Sequence, residues 1–149
     1  MILVDTNIPA RIAQPGHPRF HPAIDAIKLL TVRDSETFSI STHSLYELYF
    51  VMTKVKNGFG YSAARAAAEL GNIRTMFPLL IETNNTYNTW ESLTAKYAVT
   101  GRPAYDAKLV ATMIERQVPR LLTFNDQDFA VYTEITALNP FDVLGLPRI

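Results

Sequence analysis

Acidic residues at four places in this sequence are the side chains most able to support chemistry. Asp5 comes directly after the apolar run Ile2–Val4, and Asp128 lies just beyond a second apolar run. Glu47 and Asp106 lie within segments of helical pattern. Mg²⁺ prefers oxygen ligands and needs only one or two carboxylates beside water and substrate phosphate. If the fold brings these four residues together, they form a site for metal-assisted hydrolysis.

Polar side chains accompany the first and the last of these acids. Hydroxyl and amide groups beside a carboxylate can orient it, or bind water and phosphate, through hydrogen bonds. The residues concerned are Thr6, Asn7, Thr123 and Asn125. A further acid, Asp126, lies close to Asp128, so either of the two could be the fourth member of the cluster.

Each acidic residue also has a purely structural interpretation. Asp5 or Thr6 could cap a following helix, and Ser44 with Glu47 has the spacing of a capping box. Asp106 lies near the start of a helix, where the helix dipole favours a negative charge. The nearly apolar segment after it favours a functional role, because a carboxylate beside a buried helix needs a partner or a cation. The polar segment after the second apolar run is typical of an Asx turn.

Short apolar runs alternate with longer helical patterns along the chain. The predicted strands cover residues 2–4, 37–41, 78–81, 120–124 and 134–137, and the predicted helices cover 8–12, 21–32, 43–56, 61–76, 86–97 and 103–117. This alternation indicates an α/β sandwich, in which helices flank a mainly parallel central sheet. Ligands bind such sheets at the carboxyl ends of the strands, where Asp5 and Asp128 fall.

Composition narrows the class of protein. With 149 residues, 48% of them hydrophobic, the chain is expected to form one domain over 1–149 with its own core. It has no cysteine, which excludes thiol catalysis, disulfides and thiolate metal sites. Its beginning lacks the pattern of a signal peptide, and no apolar run reaches the ~20 residues of a membrane helix. We therefore expect a cytoplasmic protein that does not contact the membrane.

The charge is balanced, with 14 basic and 14 acidic residues. A neutral chain is less typical of nucleic-acid binders than a basic one, but a local patch or bound cations can supply the positive field. The candidates for such a patch, which solvated helix faces would equally explain, are Lys54, Lys56, Arg65, Lys108, Arg116 and Arg120. The histidines His17, His21 and His43 show no ligand spacing and are expected on the surface or in loops.

Four ordered motifs together resemble the PIN-domain family, and more narrowly the VapC-type toxins of toxin–antitoxin modules. The motifs are Val4–Asn7, Leu45–Leu48, Gly101–Ala107 and Leu121–Phe129. The resemblance covers nearly the whole chain. It implies a sandwich built on a parallel sheet, Mg²⁺ or Mn²⁺ held by three or four carboxylates, and endoribonuclease activity on RNA. It also implies a partner antitoxin that occludes the site, and homodimers.

Matched position by position, Asp5, Glu47 and Asp106 correspond to the acidic residues with which the family binds metal. The polar residues that support the site in the family correspond to Thr6, Asn7, Thr123 and Asn125. The fourth acidic position departs from the pattern, because Asn125 stands where some members carry an acid, whereas Asp128 matches others. The resemblance implies that metal-activated water attacks the phosphorus in line, with Glu47 or Asp128 orienting the water.

Two other functions are compatible with the sequence. A Mg²⁺-dependent phosphatase would use Asp5 as a nucleophile, but such enzymes carry a second aspartate where this chain has Asn7. A catalytically silent PIN-like module would bind RNA or protein without cleavage. The apolar stretches Phe50–Met52 and Leu29–Leu30 either form a groove for an antitoxin helix or a dimer contact, or belong to the core.

Overall fold

A computed structural model describes residues 1–149 and contains one five-stranded sheet. The strands are β1 (Ile2–Val4), β2 (Phe38–Ser41), β3 (Leu79–Leu80), β4 (Arg120–Leu122) and β5 (Thr136–Leu138). Their order is β3-β2-β1-β4-β5, and all four neighbouring pairs are parallel. The predicted α/β fold with a parallel sheet between helices is therefore confirmed.

Seven α-helices flank the sheet. They are α1 (Asn7–Ile12), α2 (Phe20–Asp34), α3 (Thr42–Thr53), α4 (Ala63–Met76), α5 (Thr86–Lys96), α6 (Pro103–Glu115) and α7 (Pro140–Leu144), and a 3₁₀ helix covers Asp126–Phe129. Helix α7 was not predicted, although Asn139 caps it by accepting the N–H of Phe141 and Pro140 occupies its first turn, both typical of a helix start. None of the helices combines the length and the apolar character needed to cross a membrane.

Side chains of β1 alternate between the two faces of the sheet. Ile2 and Val4 are fully buried with side chains of α1, α2, α3, α4 and α7, whereas Leu3 is buried on the other face with α5 and α6. Successive strand residues point to opposite faces, so a central strand covered on both sides must be apolar throughout. The short run Ile2–Val4 meets this requirement, which explains its central place.

Helix α3 begins at Thr42, because the Oγ of Ser41 accepts the backbone N–H of Ser44 at 3.0 Å. The capping box considered for Ser44 and Glu47 is therefore wrong: Glu47 lies well inside the helix, where it has no terminal N–H to satisfy. The side chain of Glu47 is left available for contacts outside its own helix.

The two apolar stretches considered as a groove are divided between core and surface. Met52 and Leu30 are buried in the core, with 0% and 2% of their surfaces exposed. Leu29 is half-buried, while Phe50 is 56% exposed. The core interpretation therefore holds for Met52 and Leu30, and only Phe50 offers a large exposed apolar side chain.

The strand order creates a crevice at the carboxyl edge of the sheet. From β1 the chain adds β2 and β3 on one side, and then returns to add β4 and β5 on the other. The connections that leave β1 and β4 therefore diverge, which is the place where ligands bind open parallel sheets. Asp5 follows β1 and Thr123 follows β4 at this point.

Candidate active site

An open cavity of about 790 Å³ lies over the carboxyl edge of the sheet. All four acidic residues singled out from the sequence line it, namely Asp5, Glu47, Asp106 and Asp128. Thr6, Asn7 and Asn125 line it as well, and Thr123 lies beneath it, fully buried. The fold thus brings together residues from four segments that lie up to 123 positions apart.

The carboxylate of Asp5 is held by three hydrogen bonds. Its Oδ1 accepts the N–H of Thr6 at 2.7 Å, and its Oδ2 accepts the amide of Asn7 at 2.8 Å and the hydroxyl of Thr123 at 2.7 Å. Neither Asp5 nor Thr6 caps helix α1 with its side chain, so the capping interpretation of these residues is wrong. These hydrogen bonds fix the orientation of the Asp5 carboxylate, which lines the cavity.

Asn7 and Thr123 join the ends of β1 and β4. The Oδ1 of Asn7 accepts the N–H of Phe124 at 3.0 Å, and its Nδ2 lies 3.0 Å from the hydroxyl oxygen of Thr123. That hydroxyl also accepts the N–H of Asn125 at 3.0 Å. The hydroxyl of Thr123 has a single proton, which it donates to Asp5, so it can only accept in its contacts with Asn7 and Asn125.

Burial is the largest cause of the raised pKa of Asp5, which lies at about 6. The hydrogen bonds from Thr123 and Thr6 work in the opposite direction, because they stabilise the ionised form. The negative charges of Glu47 and Asp106 raise the pKa further. A carboxylate that remains hard to ionise despite good donors is one whose charge lacks a nearby cation.

Glu47 reaches the end of β1 from helix α3. Its Oε2 accepts the hydroxyl of Thr6 at 2.9 Å and lies 3.9 Å from Nε2 of His43, one turn earlier in the same helix. His43 lies in the helix that was predicted over 43–56, but it was expected on the surface or in a loop, whereas it is half-buried and stacks against Tyr105. The expectation was wrong because ligand spacing says nothing about contacts between distant segments.

Asp106 lies in the first turn of α6 and makes no hydrogen bond with its side chain to another residue. Burial raises its pKa to about 6, and the charges of Asp128 and Glu47 add to the effect, while Arg102 opposes it. The favourable dipole of the helix start does not offset these effects. Asp106 is therefore a partly buried carboxylate that lacks a partner, surrounded by other acids.

The structure separates the two candidates for the fourth acid. Asp128 lines the cavity, at the end of the 3₁₀ helix. Asp126 turns away to accept the amide of Asn139 at 2.8 Å and the guanidinium of Arg148 at 3.0 Å. Although burial works against it, these bonds lower the pKa of Asp126. Asp126 has a structural partner, whereas Asp128 has none.

The donor set fits a hard divalent cation. Its atoms are carboxylate oxygens, with hydroxyl and amide oxygens nearby, and none is the thiolate or imidazole cluster that softer metals prefer. No three acidic or histidine side chains are close enough to complete a coordination sphere on their own. Mg²⁺ does not require this, because it keeps several waters and binds through one or two carboxylates.

Several side chains that line the cavity were not identified from the sequence as residues of the site. They are Arg11, His43, Phe50, Arg102 and Tyr105. Arg11 had a signal, because it lies four residues after Asn7 and so shares its face of α1. Tyr105 and Arg102 are close to Asp106 in sequence, but only the start of α6 at Pro103 turns them toward the same cavity.

The basic patch considered from the sequence does not form at the cavity. None of its six residues lines it. Lys108 pairs with Glu82 at 2.9 Å, and Arg120 pairs with Glu36 near the opposite edge of the sheet. Arg65 lies over the ring of Tyr61 at 3.7 Å. The cations beside the acidic cluster are instead Arg11 and Arg102.

Comparison with known proteins identifies one family. The sequence model described as PIN domain matches residues 2–135. No curated protein sequence matches the chain significantly. Among solved structures, VapBC2 from Rickettsia felis bound to a DNA fragment from their promoter is 17% identical, with a TM-score of 0.72 over 93% of this chain and 98% of that chain.

Two other solved structures give similar values. FitAcB from Neisseria gonorrhoeae is 18% identical, with a TM-score of 0.69 over 95% of this chain and 99% of that chain. VapC20 from Mycobacterium tuberculosis, described as a sarcin-ricin loop cleaving toxin, is 22% identical, with a TM-score of 0.63 over 91% and 98% of the two chains. At these identities the likeness concerns the fold alone.

Proposed function

Because the chain belongs to the PIN domain family, we propose that it is a divalent-metal-dependent endoribonuclease. The observation that carries the proposal is the convergence of Asp5, Glu47, Asp106 and Asp128 on one cavity, with the pKa values of Asp5 and Asp106 both raised to about 6. Carboxylates that repel one another and form no ion pair with a lysine or an arginine are typical of sites that bind metal.

Asp5 and Asp106 are the principal ligands in this proposal, and Glu47, the third, would have to move toward them when an ion binds, because no three acidic side chains lie close enough without one. Bound Mg²⁺ or Mn²⁺ would activate water and stabilise negative charge on the scissile phosphodiester. Asp5 is suited to the role because three hydrogen bonds orient it before any ligand arrives. Pre-oriented ligands lose little conformational freedom on binding.

The remaining residues act around this centre. Glu47 or Asp128 accepts a hydrogen bond from the attacking water and orients it. The hydroxyl of Thr6 donates a hydrogen bond to Glu47 at 2.9 Å, and this bond connects helix α3 to the end of β1. Asn125 is exposed beside Asp128 and can contact a phosphate oxygen. Asn7 and Thr123 support Asp5 from beneath.

The biological role that we propose is that of a toxin in a toxin–antitoxin pair, as a homodimer whose site an antitoxin occludes. Solved structures of the same fold include VapBC2 and FitAcB. A gene directly beside this one that encodes a small protein with a DNA-binding pattern is expected. Co-expression of the two should yield a stable complex that does not cleave RNA, and light scattering on the isolated chain should give twice its 16.7 kDa mass.

The experiment is cleavage of a panel of structured RNAs by the purified chain. We expect cleavage with Mg²⁺ or Mn²⁺ and none with EDTA, and a loss of at least ~100-fold on Asp5→Asn or Asp106→Asn. Asp25→Asn is the matched control, because Asp25 is exposed on α2, away from the cavity. Metal-dependent cleavage by a folded Asp5→Asn, Asp106→Asn double variant would contradict the site.

A phosphomonoester substrate separates the two alternatives. Turnover of the monoester, without cleavage of RNA, would favour the phosphatase that uses Asp5 as a nucleophile. Binding of RNA without any turnover would favour the silent module. The structure offers the phosphatase little support, because Asn7, which stands where such enzymes carry a second aspartate, forms hydrogen bonds with Asp5 and Phe124.

A further inference from the structure

Five of the side chains that line the cavity have no part in the proposed metal site. They are the aromatic residues His43, Phe50 and Tyr105 and the cationic residues Arg11 and Arg102. Aromatic rings beside cations are the combination with which proteins bind single-stranded nucleic acid, since rings stack on bases and cations contact phosphates.

Tyr105 is the most exposed ring of the cavity, with 63% of its surface accessible. It stacks on His43, with ring centroids 5.9 Å apart and an angle of 11° between the planes. This contact holds one face of the ring and leaves the other open. Because Tyr105 and Asp106 line the same cavity, a base on that open face belongs to a nucleotide close to the phosphate that Asp106 would approach.

Arg11 provides the second observation. Its Nη1 donates to Gln14 at 2.6 Å, whereas its Nη2 makes no hydrogen bond within the protein and, unlike the buried Nε, remains accessible. Burial, and to a lesser extent the charge of Arg19, lower the pKa of Arg11. A phosphate oxygen is an acceptor for the free Nη2 of this guanidinium.

We propose, on the basis of the proposed nuclease function, that Tyr105 supported by His43 stacks on an unpaired base beside the scissile phosphate, while Arg11 binds a neighbouring phosphate. Such stacking requires that the base is unpaired when it binds. A base inside an A-form duplex is stacked on both sides and cannot offer a face to Tyr105.

The test is binding, which does not depend on cleavage. Anisotropy of labelled oligoadenylate is measured with Ca²⁺ in place of Mg²⁺, with the strand checked for integrity, and compared with the same strand paired to oligouridylate. Tyr105→Ala should weaken binding of the single strand by about 5- to 150-fold, and Tyr105→Phe should retain it. The matched control is Tyr87→Ala, because Tyr87 is 64% exposed on α5, outside the cavity.

Arg11 is tested through salt dependence. Loss of one phosphate contact in Arg11→Gln should reduce the slope of log affinity against log salt by about 0.7 for a single strand. Arg33→Gln should leave the slope unchanged, because Arg33 is exposed and pairs with Asp34 at 2.8 Å.

The outcomes separate this inference from the nuclease proposal. If the chain binds the single strand through Tyr105 but cleaves no RNA, the stacking site stands and the nuclease proposal fails. Equal affinity for the duplex, an unchanged affinity in Tyr105→Ala, or no binding of the single strand would overturn the stacking site, even if RNA is cleaved. An unchanged salt slope in Arg11→Gln would overturn the role of Arg11.

Discussion

Asp106→Asn is expected to make the metal-free chain more stable while removing its activity. The carboxylate of Asp106 has no hydrogen-bond partner, and burial together with the charges of Asp128 and Glu47 raises its pKa from 3.8 to about 6. An asparagine of nearly the same shape removes the charge without removing a bond. The ionised carboxylate of Asp106 therefore lowers the free energy of unfolding, and a bound cation would offset this loss.

The magnitude follows from the pKa. One unit of pKa corresponds to about 1.4 kcal/mol, so a fully desolvated carboxyl with this shift would cost about 3 kcal/mol. Asp106 is only partly buried, and solvent screens it, which reduces the figure to about 1.5 kcal/mol. The helix dipole at the start of α6 favours the charge by about 0.5 kcal/mol. The net gain for Asp106→Asn is about 1 kcal/mol, or about 3 °C in Tm.

The sign depends on pH. A carboxyl whose pKa is raised by folding binds its proton more tightly in the folded chain, so its ionisation destabilises the fold as pH rises from about 3.8 to about 6. The gain for Asp106→Asn should therefore be complete at pH 8 and nearly absent at pH 4. Thermal unfolding followed by circular dichroism in EDTA at both pH values measures it.

The matched comparison is Asp126→Asn. Asp126 has partners in Asn139 and Arg148, and its pKa is lowered, so this variant should lose stability at pH 8. If Asp106→Asn is no more stable than the parent chain at pH 8, or gains equally at pH 4, then the repulsion inferred for the acidic cluster is absent and the reasoning is refuted.

Three further predictions concern the same site. Asp5→Asn, measured by the same thermal unfolding in EDTA, should gain less than Asp106→Asn or lose stability, because the amide nitrogen faces a donor in either orientation: the N–H of Thr6 at the Oδ1 position, or the amide of Asn7 and the hydroxyl of Thr123 at the Oδ2 position. Thr123→Val should cost about 1–3 kcal/mol in urea denaturation, since it removes one of the three hydrogen bonds to Asp5 and leaves the backbone N–H of Asn125 without its acceptor; Thr136→Val, exposed on β5, should cost little. Mg²⁺ or Mn²⁺ should raise Tm strongly at pH 8 and weakly at pH 5, because protons compete for carboxylates with pKa values of about 6; equal effects at the two pH values would show that these carboxylates do not bind the ion.

Much of the fold could be read from local patterns. The apolar run Ile2–Val4 and the helical spacing of later segments are properties of residues close in sequence, so strands and helices were predicted to within a few residues. Helix α7 was not predicted because its five residues are too few to show a helical period. The only signals in the sequence were Asn139 and Pro140 at its start.

The sequence by itself also determined which residue types stand at the ends of the strands. Asp5, Asn7 and Thr123 follow apolar strands, and parallel strands end at the same edge of a sheet, so their meeting follows from topology alone. Local sequence cannot decide which of two neighbouring acids turns inward. Asp126 faces away because Arg148 and Asn139 bind it, and these partners lie 22 and 13 residues further along the chain.

Tertiary structure alone decided the character of the rest of the cavity. His43 and Tyr105 come from different helices, and their stacking depends on the distance at which α3 and α6 are held by the sheet. Arg11 became a cation of the site, while the expected patch was divided among pairs such as that of Lys108 with Glu82. Charge and stacking act through space, so their partners are defined only once the chain has folded.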